Sequence, residues 1–162
     1  MAADSSAASV RAATQTDIPA IADTLREAFT PFERLYTPAA FAATVVSVDD
    51  LRNRWAHGPT WVAELNGEVV GTVGAIPRLE EFYVRSMAVR PTAQGHGVGQ
   101  QMLQIAEDAA VLRGYRHVQL STTPFLRAAI RLYERNGYQR SGVADLFGTP
   151  LIVMTKTCDF SG

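Results

Sequence analysis

Three glycines at alternate positions stand directly before a predicted helix, in the segment QGHGVG of residues 94–99. A glycine inside regular structure costs roughly 0.5–1 kcal/mol relative to alanine, so Gly95, Gly97 and Gly99 need a physical reason. The free N–H groups of a helix N-terminus and the helix dipole attract an anion, and glycines let a phosphate approach the backbone closely. The segment therefore predicts a phosphate-binding helix start.

Two common phosphate ligands do not fit this segment. A loop for nucleoside triphosphates needs Lys and then Ser or Thr after its last glycine, whereas Gly99 is followed by Gln100 and Gln101. A dinucleotide fingerprint needs a third glycine where this chain has Gln100, and an acidic ribose partner about 20 residues further on, which is missing. The pattern therefore disfavours triphosphate hydrolysis and nicotinamide cofactors.

The glycine segment lies between a predicted strand and a predicted helix. The strand is EFYVRSMAV, and the helix runs from Val98 to Arg113. Apolar residues recur on the helix face that we expect to meet the sheet, namely Val98, Met102, Ile105 and Ala109. The strand HVQLST and a last helix follow, with Thr123 as the predicted N-cap and Pro124 in the first turn.

The remaining elements complete an α/β pattern. They are a strand over 9–14, an amphipathic helix capped by Thr16 or Asp17, a second helical region over 37–58, a hairpin at Asn66-Gly67 and two closing strands over 139–157. Together they predict an α/β (α+β) layered fold, with a mixed, mostly antiparallel sheet of about six to seven strands and about four helices.

Composition narrows the class of protein. The 162 residues predict a flexible N-terminal tail over 1–9 and a single domain over 10–162. A formal net charge of −1 disfavours binding to nucleic acid or to an anionic membrane surface. The single Cys158 cannot form an internal disulfide, no metal site is indicated, and the N-terminus resembles neither a signal peptide nor a membrane span. We therefore expect a cytoplasmic protein.

The order of these elements resembles the GNAT family of N-acetyltransferases, whose pyrophosphate loop has Gln or Arg, two residues, Gly, one residue, and Gly or Ala. The resemblance depends on the glycine segment, on the preceding SMAVRP and on the later LYERNGY, and it covers nearly the whole chain. It implies a GNAT-like acyl-CoA N-acyltransferase fold. It also implies transfer of the acetyl group of acetyl-CoA to a primary amine of a small molecule or peptide, by direct attack in a ternary complex.

The resemblance also implies how the cosubstrate binds. The backbone of Met87, Ala88 and Val89 pairs with the pantetheine arm, and the last helix faces the cofactor groove at Ala129. The pyrophosphate is wrapped mainly by backbone N–H groups of Gln94, Gly95, His96, Gly97, Val98, Gly99 and Gln100, in which the His96 side chain has no chemical role. Leu126 stands where relatives often have Asn, so a side-chain contact to the pantetheine arm is expected to be absent.

Acetyl transfer needs a base, an oxyanion donor and an acid for the leaving thiolate. The resemblance assigns the acid to Tyr133 and the oxyanion donor to the backbone N–H of Val89. Alternation along the strand places Glu81 on the same face as Met87, so Glu81 is the candidate base. An ordered water held by Tyr83 or Ser86 is the alternative route for the proton.

The amine substrate is the least defined part. Aromatic residues from two segments are candidates for its pocket, namely Phe29, Phe32, Tyr36 and Phe147, and Glu33 or Asp145 would attract a cationic amine. A non-catalytic acyl-CoA-binding or sensing module on the same fold is the main alternative, and a structural protein whose glycines only form turns is a third. The sequence leaves a homodimer open.

Overall fold

The computed structural model describes residues 7–158. Its seven strands are β1 (Ser9–Ala12), β2 (Thr60–Leu65), β3 (Glu68–Pro77), β4 (Glu81–Val89), β5 (His117–Thr122), β6 (Gln139–Leu146) and β7 (Thr149–Thr157). Its α-helices are α1 (Ile18–Phe29), α2 (Pro38–Thr44), α3 (Val48–Asn53), α4 (Val98–Leu112) and α5 (Arg127–Arg135). The predicted layered α/β fold is confirmed, with one helix more than expected.

The strands form one sheet in the order β1-β2-β3-β4-β5-β7-β6. Within it β4 and β5 run parallel, and the other neighbours run antiparallel. One face packs against α4 through Met102 and Leu103, and the other packs against α1 through Ile21 and Leu25. In α4 the predicted inward residue Ile105 is only half-buried, since the buried face runs through its neighbour Ala106 instead.

The segment predicted as one helical region, residues 37–58, forms two short α-helices and a final 3₁₀ turn. Ser47 causes the break, because its side chain accepts a hydrogen bond of 3.1 Å from the backbone N–H of Asp50 and so caps a new helix. The interruption matters for the site because it brings Arg54, just after α3, back toward the sheet, where its side chain reaches Ser86 of β4.

One other boundary differs from the sequence predictions, and a second agrees with them. The last helix begins at Arg127 rather than Pro124, because residues 123–126 form a turn in which the N–H of Leu126 donates to the carbonyl of Thr123. At the other end β1 begins at Ser9, and the carbonyl of Ala8 accepts a hydrogen bond from Gln101. Of the predicted tail, residues 1–6 lie outside the described residues.

Candidate active site

A cleft opens where β4 and β5 separate. Among the described residues the two strands pair only over Glu81–Tyr83 and His117–Gln119, so the backbone edge of β4 beyond Tyr83 has no partner on the β5 side. The cleft has a volume of about 840 Å³, and its walls include the end of β4, the glycine segment, the end of β5 and one side of α5. An unpaired strand edge in such a cleft can bind an extended, amide-bearing ligand in the way a neighbouring strand would.

A β-bulge at Ser86 changes the direction of the side chains in β4. The pairing with β3 shifts between Thr72 and Gly74, and Ser86 has a left-handed φ of 56°. Before the bulge Phe82 packs in the core beneath α4, whereas Ala88 after it packs in the core beneath α1. The bulge therefore reverses the alternation, as an extra residue in one strand must.

This reversal corrects the prediction for Glu81. Glu81 lies on the same side of the sheet as Tyr83 and Arg85, but Met87 beyond the bulge points to the opposite side, toward α4. Glu81 is also not among the residues that line the cleft, because it lies where β4 and β5 are still paired. The structure thus does not bring this carboxylate to the predicted site.

The glycine segment forms the predicted helix start. Gly97 is the N-cap residue of α4, with a left-handed φ of 78° and no side-chain cap, and Gly95 has a φ of 84°. The first turn closes with the N–H of Gln101 on the carbonyl of Gly97, so the preceding N–H groups of α4 have no partner within the helix. A Cβ atom at Gly95 or Gly97 would meet nothing within 4 Å. The segment is therefore an open cradle of backbone donors with room for a phosphate.

The third glycine has a different role. A Cβ atom at Gly99 would lie 3.1 Å from Leu132 of α5, so glycine favours close packing of the two helices there. The side chains of Gln100 and Asn136 exchange two hydrogen bonds of 2.6 and 2.8 Å and hold the same two helices together. The side chain of Gln94 donates to the carbonyl of Val89 over 3.0 Å and joins the loop to the end of β4.

The predicted cosubstrate-binding residues are brought together, with one exception. His96 does not line the cleft, whereas these residues do: Met87, Ala88, Val89, Gln94, Gly95, Gly97, Val98, Gly99, Gln100 and Ala129. Leu126 also lines it, at the position where an Asn was noted as missing. The cleft thus combines an unpaired strand edge with a helix N-terminus.

Tyr133 of α5 lies in the wall of this cleft and is 7% exposed. Burial raises the pKa of its phenol above the ordinary range, and the nearby Tyr83 and Tyr36 add to the shift. The hydroxyl group therefore keeps its proton throughout the neutral range. A protonated, buried phenol beside a ligand cleft can donate a proton to a leaving group.

Part of the predicted amine pocket lines the cleft, on the side called here the acceptor side. Phe29, Phe32 and Tyr36 line it, and Phe125 stacks on Phe32 with ring centroids 6.2 Å apart. Burial raises the pKa of Tyr36 to about 12, although the hydroxyls of Thr123 and Thr44 partly offset this. Three other predicted residues do not line the cleft: Phe147 is 66% exposed, Glu33 lies elsewhere, and Asp145 accepts a hydrogen bond from the turn N–H of Gly148.

The charge of the cleft contradicts the expected attraction of a cationic amine by Glu33 or Asp145. Four arginines line it, Arg54, Arg85, Arg127 and Arg135, and none of the described lining residues is Asp, Glu, His or Lys. Sequence reasoning missed Arg54 and Arg85. Alternation could have placed Arg85 opposite Phe82 and Val84, but no local signal indicates that Arg54 packs beside it.

Two other kinds of site are absent from the described residues. Within residues 7–158 no group of three or more His, Cys, Asp or Glu side chains is arranged to hold a metal ion. In the same part of the chain, no helix combines the length and the apolar character needed to cross a membrane.

The fold and the cleft define a class of acyl-CoA-binding α/β proteins. Comparison with known families identifies the family within that class. The family model described as "Acetyltransferase (GNAT) family" matches residues 20–138. The chain belongs to the GNAT acetyltransferase family, which confirms the resemblance noted from the glycine segment.

Curated relatives carry related names. The chain is 29% identical over 136 residues to the uncharacterized N-acetyltransferase YjgM of Escherichia coli, covering 80% of this chain and 81% of that protein. It is 36% identical over 93 residues to the probable N-acetyltransferase family 8 member 5 of mouse, covering 54% of this chain and 41% of the mouse protein. The chain thus spans less than half the length of that vertebrate relative.

Solved structures share the fold. The PaiA N-acetyltransferase of Thermoplasma acidophilum in complex with coenzyme A superimposes with a TM-score of 0.77 at 16% identity, covering 93% of this chain and 99% of that one. A GNAT acetyltransferase of Elizabethkingia anophelis with acetyl-CoA bound has a TM-score of 0.71 at 20% identity, covering 93% and 97%.

Proposed function

We propose that the chain is an N-acetyltransferase that transfers the acetyl group of acetyl-CoA to a primary amine of a small molecule or peptide, by direct attack in a ternary complex. The observation that carries the proposal is the meeting of three features in one cleft: the free edge of β4, the uncapped N-terminus of α4 and the buried hydroxyl group of Tyr133. Family membership supports the same reaction.

The residues present fit acetyl-CoA. The backbone N–H groups at the start of α4 bind the pyrophosphate, and the open space at Gly95 and Gly97 lets it approach them. The backbone of Met87 to Val89 pairs with the amide-bearing arm. The N–H of Val89 is directed at the carbonyl oxygen of the acetyl group and stabilises the charge that develops there. When bound, the cosubstrate supplies an activated acetyl thioester.

The residues that line the cleft determine which groups gain and lose protons during the reaction. Tyr133 donates a proton toward the departing sulfur, and its raised pKa keeps that proton available. The described lining residues include no carboxylate or imidazole, so the proton of the amine passes through an ordered water held by Tyr83 or Ser86 to bulk solvent, and Tyr133 regains its proton from solvent after the thiol leaves. Nearby guanidinium charges lower the pKa of an incoming ammonium group, which favours the neutral amine that attacks.

Binding is tested by thermal unfolding of the full chain with acetyl-CoA, and with NAD⁺ as the matched control ligand. A ligand at 100 times its Kd adds about 2.7 kcal/mol of stability, which for a domain of this size raises Tm by roughly 5–10 °C. Equal shifts with both ligands, or none with acetyl-CoA, would contradict the proposed site. Turnover is tested by thiol release with a panel of primary amines.

A sensing module on the same fold is the competing function, since fold alone does not fix activity. It would show the thermal shift with acetyl-CoA but no thiol release with any amine. Tyr133 favours the enzyme, because a sensor has no use for a buried proton donor in the wall of the acyl-CoA cleft.

Three further points are proposals of the same kind. We propose a single functional domain, the cytoplasm as the place of the reaction, and either a monomer or a homodimer as the active form. The single cysteine is consistent with a reducing compartment. Light scattering of the full chain would decide between the two oligomeric states.

A further inference from the structure

We propose that the acceptor is a small amine carrying a carboxylate close to its amino group, as free amino acids do, and that the carboxylate is bound by Arg54, Arg85 and Ser86. The proposal rests on the acetyl transfer proposed above and names the substrate class of that site. It replaces the cationic acceptor expected from the sequence with an amine that also carries a carboxylate.

The first observation is the position of the two arginines. Arg54 follows α3 and Arg85 lies in β4, and both line the cleft on its acceptor side, near Ser86. The guanidinium group of Arg54 donates a hydrogen bond of 2.7 Å to the hydroxyl group of Ser86. Arg54 and Ser86 thus meet in the wall, and Arg85 lines the same part of it beside Ser86.

The second observation is that both charges lack a counter-charge. None of the ion pairs formed by the described residues includes Arg54 or Arg85. Burial lowers the pKa of both guanidinium groups. For Arg54 the charge of Arg85 lowers the pKa further and Asp50 partly offsets this, and for Arg85 the nearby Tyr83 partly offsets the shift while Arg78 adds to it. Two half-buried cations side by side are unfavourable, and a bound anion would relieve both the desolvation and the repulsion.

The third observation is the strained backbone at Ser86. Its left-handed φ of 56° is unusual for a residue other than glycine, and the bulge it belongs to turns the strand at this position. Strain of this kind persists where the surrounding structure enforces it, commonly at ligand sites. Here the bulge presents the hydroxyl group to Arg54 and Met87 to the cosubstrate.

Geometry limits the size of the acceptor. Strand residues rise about 3.3 Å each, so Ser86 lies about 10 Å along β4 from Val89, whose N–H is proposed to stabilise the carbonyl oxygen of the thioester. A cavity of about 20 Å³ behind the arginines has room for one water molecule and not for a carboxylate, so the anion must enter from the cleft. This separation limits the acceptor to a small molecule whose amino group and carboxylate are less than about 10 Å apart.

Arginine is well suited to this recognition, because its planar guanidinium group can bind both oxygens of a carboxylate. A peptide N-terminus has an amide at the corresponding position and leaves both arginines without an anion. A free amino acid and its primary amide therefore form a matched pair of probes that differ in the one group the subsite binds.

The test measures thiol release by the full chain with several free amino acids and their primary amides. Losing a charge-assisted hydrogen bond costs about 10- to 100-fold, so kcat/KM for the acids is expected to exceed that for the amides by at least this factor. The amine of an amino-acid amide has the lower pKa and hence more free base. Amine ionisation therefore favours the amide, and it cannot explain a preference for the acid. Amides used as well as acids, or phosphoethanolamine preferred to every amino acid, would overturn the proposal.

Variants assign the effect to the subsite. Arg85→Met and Arg54→Met are expected to raise KM for the acids by about 10- to 100-fold and to bring the acid-to-amide ratio near one, with unchanged KM for acetyl-CoA. Arg52→Met is the control, because Arg52 is exposed on α3 and pairs with Asp49. A ratio that survives both cleft substitutions would contradict the assignment.

A binding measurement separates this proposal from acetyl transfer itself. The chain is saturated with CoA, and its Tm is followed with a free amino acid or its amide. A shift with the acid alone supports the subsite even if no amine is acetylated, an outcome that would refute only the proposed reaction. Equal shifts, or no shift with any acid, would refute the subsite while thiol release remains an independent result.

Discussion

The two sides of the cleft are built from different material. The cosubstrate side consists mainly of backbone, namely the free edge of β4 and the first N–H groups of α4 after Gly97. The acceptor side consists of side chains, among them Arg54, Arg85 and Phe32, which come from distant segments. A backbone site depends on the path of the chain, whereas a side-chain site depends on which residue types the fold brings together. Substitutions on one side are therefore expected to leave binding on the other side intact.

The largest effect is expected for Gly97→Glu, which would weaken acetyl-CoA binding by more than about 100-fold. The new side chain would occupy the place of the pyrophosphate with a like charge. The fold should persist, since a Cβ atom at Gly97 meets nothing within 4 Å and the left-handed φ costs about 1–2 kcal/mol. Titration calorimetry measures the affinity, and circular dichroism checks the fold.

Gly67→Glu is the matched control for this change. Gly67 has a φ of 80°, also has open space at its Cβ position, and lies in the hairpin between β2 and β3. It carries the same strain and the same new charge away from the cleft, so its acetyl-CoA affinity should equal that of the unmodified chain. A similar loss in both variants would show that strain or charge in general, and not the anion site, weakens binding.

The second effect is expected for Tyr133→Phe, which should lower kcat by about 100-fold while leaving the Kd for CoA nearly unchanged. The ring still fills the same buried space, and only the proton donor is lost. Single-turnover kinetics with the best amine measure the chemical step. Tyr115→Phe is the control, because the Tyr115 hydroxyl donates to the carbonyl of Arg78 outside the cleft. A kcat reduced equally in both variants would argue against Tyr133 as the acid.

The same contrast explains what the sequence could predict. The role of Gly97 can be predicted from the local sequence. The left-handed backbone before the helix favours glycine, and the anion binds at the same few residues. The alternation that placed Glu81 beside Met87 fails because the bulge at Ser86 depends on the register with β3, which no local pattern records. Likewise the contact of Arg54 with Ser86 joins residues 32 positions apart. A site made of backbone groups can be predicted from residue spacing in the sequence. A site made of side chains from distant segments can be identified only once the fold is known.

The third effect is a dependence on pH. With chemistry rate-limiting, kcat should rise about tenfold per unit between about pH 6 and the pKa of the bound amine, and then level off. No fall is expected on the alkaline side below about pH 10, because a raised pKa keeps Tyr133 protonated there. In Arg85→Met the inflection should move to higher pH, since a nearby cation that favours the neutral amine is removed. A flat profile between about pH 6 and 9 would contradict a required deprotonation.

The fourth effect is on stability. The pKa of Arg85 is lowered in the folded chain, so its charge at neutral pH opposes folding, and removing that charge should stabilise the protein. We expect Arg85→Met without ligand to raise Tm, because the desolvation cost of the charge is removed. Thermal unfolding measures it, with Arg52→Met as the exposed control. A lower Tm would contradict the view that the charge of Arg85 lacks a counter-charge in the chain and is available to bind a ligand.

The smallest effect is expected for Glu81→Gln, for which kcat and both KM values should stay within about twofold of the unmodified chain, as for a surface substitution. Glu81 lies where β4 and β5 are still paired, and five residues of strand, or roughly 16 Å, separate it from Ser86. A base must come within hydrogen-bond reach of the proton it takes, directly or through one water, and this separation is several times too long. Steady-state kinetics with the best free amino acid test the point. A fall in kcat of about 100-fold at unchanged Tm would return Glu81 to the site and would mean that the cleft closes toward the paired end of β4 when both substrates bind.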